Sequence, residues 1–156
     1  MSCLDYLDGC AWTFVRIHDS SWEEHFRIFR ATYWSAPWTI DRPAVEQNLS
    51  RGLGSVTSIE VNDPVALTLD DERLWQYPWI YFVEPGNIRF KPTEADIFRE
   101  FSSRGGMATF DDFYAPTEWD ILQCEIKRVF FDRDIVRLPP DYSESGPHCR
   151  GMFPLP

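Results

Sequence analysis

The segment that most restricts the fold is "PWIYFVE", residues 78–84, which is apolar without alternation. A strand with one face in water alternates apolar and polar residues, whereas a strand covered on both faces reads as a continuous apolar run. Covering both faces of a sheet requires helices on each side, and such helices connect parallel strands. The segment therefore predicts a central strand of a parallel sheet in an α/β protein.

Other segments fit the same alternation of strands and helices. One helix is predicted to follow Asp41, with Val45, Leu49 and Leu53 on one face, and two more are predicted to begin near residues 93 and 117. Further strands are predicted at 12–17, 56–61, 65–69, 107–110 and 134–138. This order predicts a mostly parallel sheet between layers of helices.

Length and charge limit the classes of protein that fit. The 156 residues suit a single α/β domain, which we expect over 12–140, with a flexible start over 1–11 and an irregular tail over 141–156. The formal net charge of -10 argues against nucleic-acid partners, because phosphate-binding surfaces are basic. No apolar run approaches the ~20 residues of a membrane span, and the acidic start lacks a signal-peptide pattern. As written, the chain is expected to be soluble and cytoplasmic.

Carboxylates follow two of the predicted strands. Glu84 ends the central strand, and Asp111 and Asp112 end the strand that begins at Met107. Ligands of parallel sheets bind outside the carboxyl ends of the strands. Two close carboxylates suit proton transfer, because one pKa rises, or bind a hard cation such as Mg²⁺ through oxygen, for which Asp111 and Asp112 are the candidates. The structural alternative is that one aspartate caps the helix near Thr117.

Neighbouring residues are candidate ligand contacts. The Pro-Gly-Asn after Glu84 offers the amides of Gly86 and Asn87 to an anion, and Tyr114 lies at the matching place after the next strand. The P-loop, the G-x-S-x-G elbow and the H-E-x-x-H motif are missing from the sequence. Two functions stay open: a binding module without catalysis, or a hydrolase that uses these carboxylates. No cofactor is predicted beyond a divalent cation.

Several motifs together resemble a bacterial family known as domain of unknown function 4159. The matching pieces run in family order and are "WTFVRI", "VEQNLSRGLGSVTSIEVN", "YPWIYFVEPGNIRF", "RGGMATFDDF", "EWDILQCEIKRVFFDRDIVRLPPD" and "PHC". The resemblance implies a flavodoxin-like, class I glutamine-amidotransferase-like three-layer sandwich. It implies no established activity.

The sequence departs from that resemblance at two places. In glutamine amidotransferases the strand matching "GGMATF" leads into an elbow that holds the nucleophilic cysteine, whereas Asp111 and Asp112 stand here. The family also continues past its His-Cys, so we expect the chain to be truncated near residue 143. Family members often carry an export signal, which implies a periplasmic location if the start is incomplete. They are encoded beside MoxR-type ATPases and von Willebrand A domain proteins, which implies protein partners at the cell envelope.

Overall fold

The computed structural model describes residues 11–18, 37–39, 41–113 and 115–137. Within these residues the strands are β1 (Val15–Ile17), β2 (Val65–Leu67), β3 (Trp79–Val83) and β4 (Met107–Asp111). The α-helices are α1 (Ala44–Val56), α2 (Pro92–Ser103) and α3 (Ala115–Val129). Short 3-10 turns cover Pro37–Thr39, Glu72–Gln76 and Pro85–Asn87. The expectations for residues 1–10 and 138–156 lie outside the described residues.

The four described strands form one all-parallel sheet in the order β2-β1-β3-β4. This confirms the predicted α/β fold, a flavodoxin-like sandwich. The strand order reverses at β1, which has β2 on one side and β3 on the other. The boundary between β1 and β3 is therefore the switch point, next to which sheets of this kind bind ligands.

One face of the sheet, which we call the apolar face, packs against α2 and α3. Its strand residues include Ile80 and Phe82, which are 0% and 2% exposed. Phe82 stacks on Phe110 with ring centroids 4.6 Å apart, and Phe98 of α2 meets it edge-on at 5.7 Å. Helix α3 adds a row of buried residues at helical spacing, Leu122, Ile126 and Val129. This face forms the main hydrophobic core.

The opposite face, which we call the polar face, lies under α1. Tyr81 and Val83 of β3 are 8% and 5% exposed there, so β3 is buried on both sides as its apolar run predicted. The Trp79 indole nitrogen donates a hydrogen bond to Thr109 Oγ1 at 3.0 Å. The ring of Phe14 lies 5.1 Å from that of Tyr81. Two of the aromatic rings on this face, those of Trp79 and Tyr81, thus carry polar groups, unlike the phenylalanines of the other face.

Two of the predicted strands are wrong. Residues 134–137 form no strand, and Ile135 and Val136 are 42% and 63% exposed, because no described strand lies beside them to accept their backbone hydrogen bonds. Leu138 of that prediction lies outside the described residues. At 56–61, Val56 still belongs to α1, since the N–H and hydroxyl of Thr57 both donate to the Leu53 carbonyl and continue the helical pattern. Within that segment only Val61 pairs, in an isolated bridge to Trp12.

Candidate functional site at the carboxyl edge of the sheet

Acidic residues form the turns that leave the carboxyl edge of the sheet. The Glu84 amide donates to the Asp111 carbonyl at 3.0 Å, which holds the ends of β3 and β4 together. Among the described residues, the three non-glycine residues with positive φ are all acidic: Asp41 (58°), Glu84 (50°) and Asp112 (63°). Non-glycine residues rarely adopt this left-handed conformation, and where they do it often marks a functional turn.

Glu84 lies at the centre of the negative charge at this edge. Its side chain is half-buried, and this burial raises its pKa above the ordinary value. The negative charges of Asp112, Glu118 and Asp41 raise the pKa further, in that order. The structure therefore brings together Glu84 and Asp112, as the sequence predicted, and adds two carboxylates that the sequence analysis did not select.

Asp111 is fixed against the polar face of the sheet. The Tyr81 hydroxyl donates to its Oδ2 at 3.0 Å, and the Asp112 amide donates to its Oδ1 at 2.9 Å. Burial raises the pKa of Tyr81, and the hydrogen bond to Asp111 raises it further. The described hydrogen bonds of Asp111 thus shape its own turn and hold β3 to β4, and the predicted cap at the start of the next helix is not among them.

The candidate ligand contacts have different surroundings. Gly86 is buried beneath Glu118, and a Cβ added there would lie 2.5 Å from Glu118 Cδ, so any larger residue at this position would have to displace the Glu118 side chain. An anion at Gly86 would meet the Glu118 carboxylate. The backbone of Asn87 belongs to the 3-10 turn, and Tyr114 lies outside the described residues. Ligand binding by these three residues stays a prediction.

A buried ion pair beneath this edge was missed by the sequence analysis. Arg16 of β1 is 0% exposed, and its Nε donates to Glu46 Oε1 of α1 at 2.6 Å. Its Nη1 donates to the Trp38 carbonyl at 3.2 Å, and its guanidinium carbon lies 5.5 Å from the centre of the Tyr81 ring. The buried residue of α1 is therefore Glu46, whereas Leu49, predicted to share one helix face with Val45 and Leu53, is 41% exposed.

The described residues bear on two further expectations, which concern a metal site and membrane-spanning helices. They contain no group of three or more histidine, cysteine or acidic side chains placed to hold one metal ion, so the carboxylates around Glu84 are spread along the edge. The metal roles of Asp111 and Asp112 stay predictions. None of the described helices combines the length and apolar character that crossing a bilayer requires.

Comparison with protein families gives a match. The family model described as "Domain of unknown function (DUF4159)" matches residues 27–143, well over half of the 156 residues. The matched range includes Glu84, Asp111 and Asp112, whereas β1 with Arg16 precedes it. No curated protein matches the chain.

Proposed function

Since this chain belongs to the family of domains of unknown function 4159, we propose that it is a ligand- or partner-binding module on an amidotransferase-like scaffold and not an enzyme. One observation carries the proposal. At the end of β4, where an amidotransferase would lead into the elbow with its nucleophilic cysteine, stands Asp111, whose two carboxylate oxygens accept hydrogen bonds from Tyr81 and from the Asp112 amide. Amidotransferases use a cysteine thiolate to attack the amide, and this aspartate does not supply one.

The strand order supports the carboxyl edge as the binding surface. Glu84 follows β3 directly, beside the switch point between β1 and β3. The left-handed backbone at Glu84, Asp112 and Asp41 costs free energy, of order 1 kcal/mol for each residue, and natural proteins retain such strain mainly at functional turns. Because these residues are acidic, the surface favours a ligand that presents positive charge.

Proteins of the cell envelope are the proposed class of partner. The resemblance to a family encoded beside MoxR-type ATPases and von Willebrand A domain proteins supports a protein partner, and the net charge of -10 disfavours nucleic acid. A partner that presents lysine or arginine side chains to the acidic edge would associate faster at low ionic strength, since opposite charges steer the encounter.

The test compares two double variants of equal charge change. Glu84→Gln/Asp112→Asn neutralises the carboxyl edge, and the control Asp70→Asn/Glu72→Gln neutralises two exposed carboxylates elsewhere. Proteins captured from a native host lysate by the wild-type chain should be retained by the control and lost with the edge variant, and raising the salt concentration should weaken their capture. Capture that is equal in both double variants, or absent from the wild type, would contradict the proposal.

A hydrolase is the second candidate, and the raised pKa of Glu84 beside Asp112 favours it. A carboxyl that keeps its proton to a higher pH suits a general acid, with Asp112 or Asp111 as base or as ligand to Mg²⁺. Under this alternative, millimolar Mg²⁺ or Mn²⁺ raises the melting temperature of the wild type but not of Asp111→Asn or Asp112→Asn, because a native-state ligand stabilises the fold. Chromogenic esters and phosphate esters should then be hydrolysed by the wild type and not by Glu84→Gln.

A further inference from the structure

A cleft opens at the amino edge of the sheet, opposite the carboxyl edge. It lies where Pro78 leads into β3 and Gly106 leads into β4, and its volume is about 290 Å³. Residues 75–78 of the chain form one wall, and Phe101 with residues 104–106 forms the other. The two edges lie at opposite ends of the strands, so what binds here is independent of the proposed function.

The walls of the cleft are aromatic. Phe101 is 3% exposed and belongs to the core, whereas Trp75 is 41% exposed, with its ring centroid 6.5 Å from that of Phe101. Tyr77 is half-buried against the core cluster. Gly106 lets the Phe101 ring approach, since an added Cβ would lie 2.4 Å from that ring, and the space above Gly105 is open. The aromatic side chains of these walls can contact a ligand about the size of a single ring.

Arg104 supplies the charge at the mouth of the cleft. Its guanidinium carbon lies 4.6 Å from the centre of the Trp75 ring, and its Nη2 donates to Glu100 Oε1 at 2.5 Å. Within the described residues this is the hydrogen bond that the guanidinium makes, and it uses one of the two Nη2 hydrogens, so the second Nη2 hydrogen still forms a forked donor edge with Nε or with Nη1. A guanidinium already oriented by a ring and a carboxylate loses little further entropy when it binds a second carboxylate in the forked geometry.

We propose that this cleft binds a small carboxylic acid that carries a single ring. The carboxylate pairs with the free edge of Arg104, the Gln76 amide donates a further hydrogen bond, and the ring lies among Trp75, Tyr77 and Pro78. The volume is at the lower end of the roughly 300–1,000 Å³ that drug-sized ligands occupy, which favours one ring over two. Glu100 beside the guanidinium favours a single negative charge over a doubly charged phosphate.

The test uses phenylacetate as the probe and the whole 156-residue chain. Titration followed by ligand-observed nuclear magnetic resonance should show saturable binding with a Kd near or below about 1 mM. Phenylacetamide, which keeps the ring without the charge, and acetate, which keeps the charge without the ring, should each bind at least about tenfold more weakly, since each lacks one contact worth about 1.4 kcal/mol.

Matched variants locate the binding. Arg104→Gln and Trp75→Ala should each weaken phenylacetate binding at least about tenfold, whereas Arg51→Gln on α1 and Trp119→Ala on α3 should leave it unchanged. Arg104→Lys keeps the charge without the fork and should give an intermediate loss, and thermal unfolding of each variant checks that it is folded. Absence of saturable binding, equal binding of phenylacetamide, or unchanged binding in both cleft variants would overturn the proposal.

Discussion

The two faces of β3 are equally buried but are built from different chemistry. On the apolar face, Ile80 and Phe82 pack among hydrocarbon side chains of α2 and α3. On the polar face, Tyr81 donates a hydrogen bond to Asp111, and the Arg16–Glu46 ion pair attaches α1 to the sheet. Helices that dock by hydrocarbon contact are stabilised by the apolar surface area that they bury. The docking of α1 also depends on an ion pair, whose two charged groups must be placed in contact.

The difference explains where the candidate site lies. Polar side chains buried against a sheet need specified partners, and these partners lead from α1 through Arg16 and Tyr81 to Asp111 at the carboxyl edge. The side chains of Ile80 and Phe82 on the apolar face carry no polar group. A buried carboxylate on that side, Glu125 of α3, is paired with Arg89, Arg128 and the Phe90 amide. Hydrocarbon packing thus stabilises one face, and polar contacts on the other face shape the carboxyl edge.

A large effect is expected from breaking the ion pair on the polar face. Arg16→Met leaves the buried Glu46 carboxylate with the exposed Arg42, whose Nε lies 3.5 Å from Oε1. Breaking a buried ion pair typically destabilises by about 3–5 kcal/mol, and Arg42 should keep the loss near the lower end of that range. Urea unfolding followed by tryptophan fluorescence measures it. The double variant Arg16→Met/Glu46→Leu should recover most of the loss, because an apolar pair of similar volume can replace a buried ion pair. A single variant as stable as the wild type would show that α1 does not depend on the pair.

The apolar face gives an effect of similar size. Ile80→Ala removes a fully buried side chain and should cost about 2–5 kcal/mol, and Phe82→Ala, which also loses the stacking on Phe110, should fall near the upper end. Val136→Ala, at a 63% exposed position, is the control and should lie within about 0.5 kcal/mol of the wild type. An unchanged urea midpoint in both core variants would show that β3 is not the central strand.

A smaller effect is expected when the hydrogen bond of Tyr81 is removed while the packing of its ring is kept. Tyr81→Phe keeps the ring on the polar face and removes the donor to Asp111, so it should cost about 1 kcal/mol. Tyr77→Phe, a half-buried tyrosine on the other face, should cost less in the same urea experiment. Equal losses for the two variants would mean that the bond to Asp111 contributes nothing specific.

The smallest expected effect is the change in stability with pH that results from Glu84. Its pKa is raised in the folded state, so the folded chain holds this proton more tightly than the unfolded chain does, and stability is lost as the pH rises through the raised pKa. Glu84→Gln should therefore raise the melting temperature at pH 7, by roughly a degree because the side chain is partly solvated, and the gain should shrink below pH 4. Glu72→Gln, at an exposed position away from this edge, is the control with the same change of charge. A gain for Glu84→Gln that is the same at both pH values would contradict the raised pKa.

The sequence predicts the apolar face better than the polar one. A run such as "WIYFV" fixes burial on both sides of a strand, and the parallel sheet and its helices follow from it. The same reasoning did not show that Leu49 is exposed, because helical periodicity shows which residues share a face but not that a neighbouring strand presents an arginine to it. The lone Arg16 within "WTFVRI" was the available signal, since a buried arginine requires a carboxylate partner.

The sequence predicts where the candidate site lies better than it predicts which residues form the site. Carboxyl ends of parallel strands share one edge, which is enough to place Glu84 beside Asp112. Asp41 reaches the same edge through the backbone turn before α1, and Glu118 reaches it through its close approach to Gly86. Neither placement leaves a periodic pattern in the sequence. The hydrogen bonds of Asp111 likewise depend on the register of β3 against β4, which composition does not specify.

The position of Arg16 also matters before the fold is complete. Strand β1 is the first of the described strands to be synthesised, yet its neighbours β2 and β3 come later in the chain. Its pairing with β3 therefore forms only after the chain up to Tyr81 has left the ribosome. Apolar segments of high strand propensity are the ones that pair with other chains during such a delay, and a charge within them suppresses that pairing. Arg16 interrupts the apolar segment "FVRI" in this way. The residue that anchors α1 in the finished domain is therefore also expected to disfavour aggregation of the nascent strand.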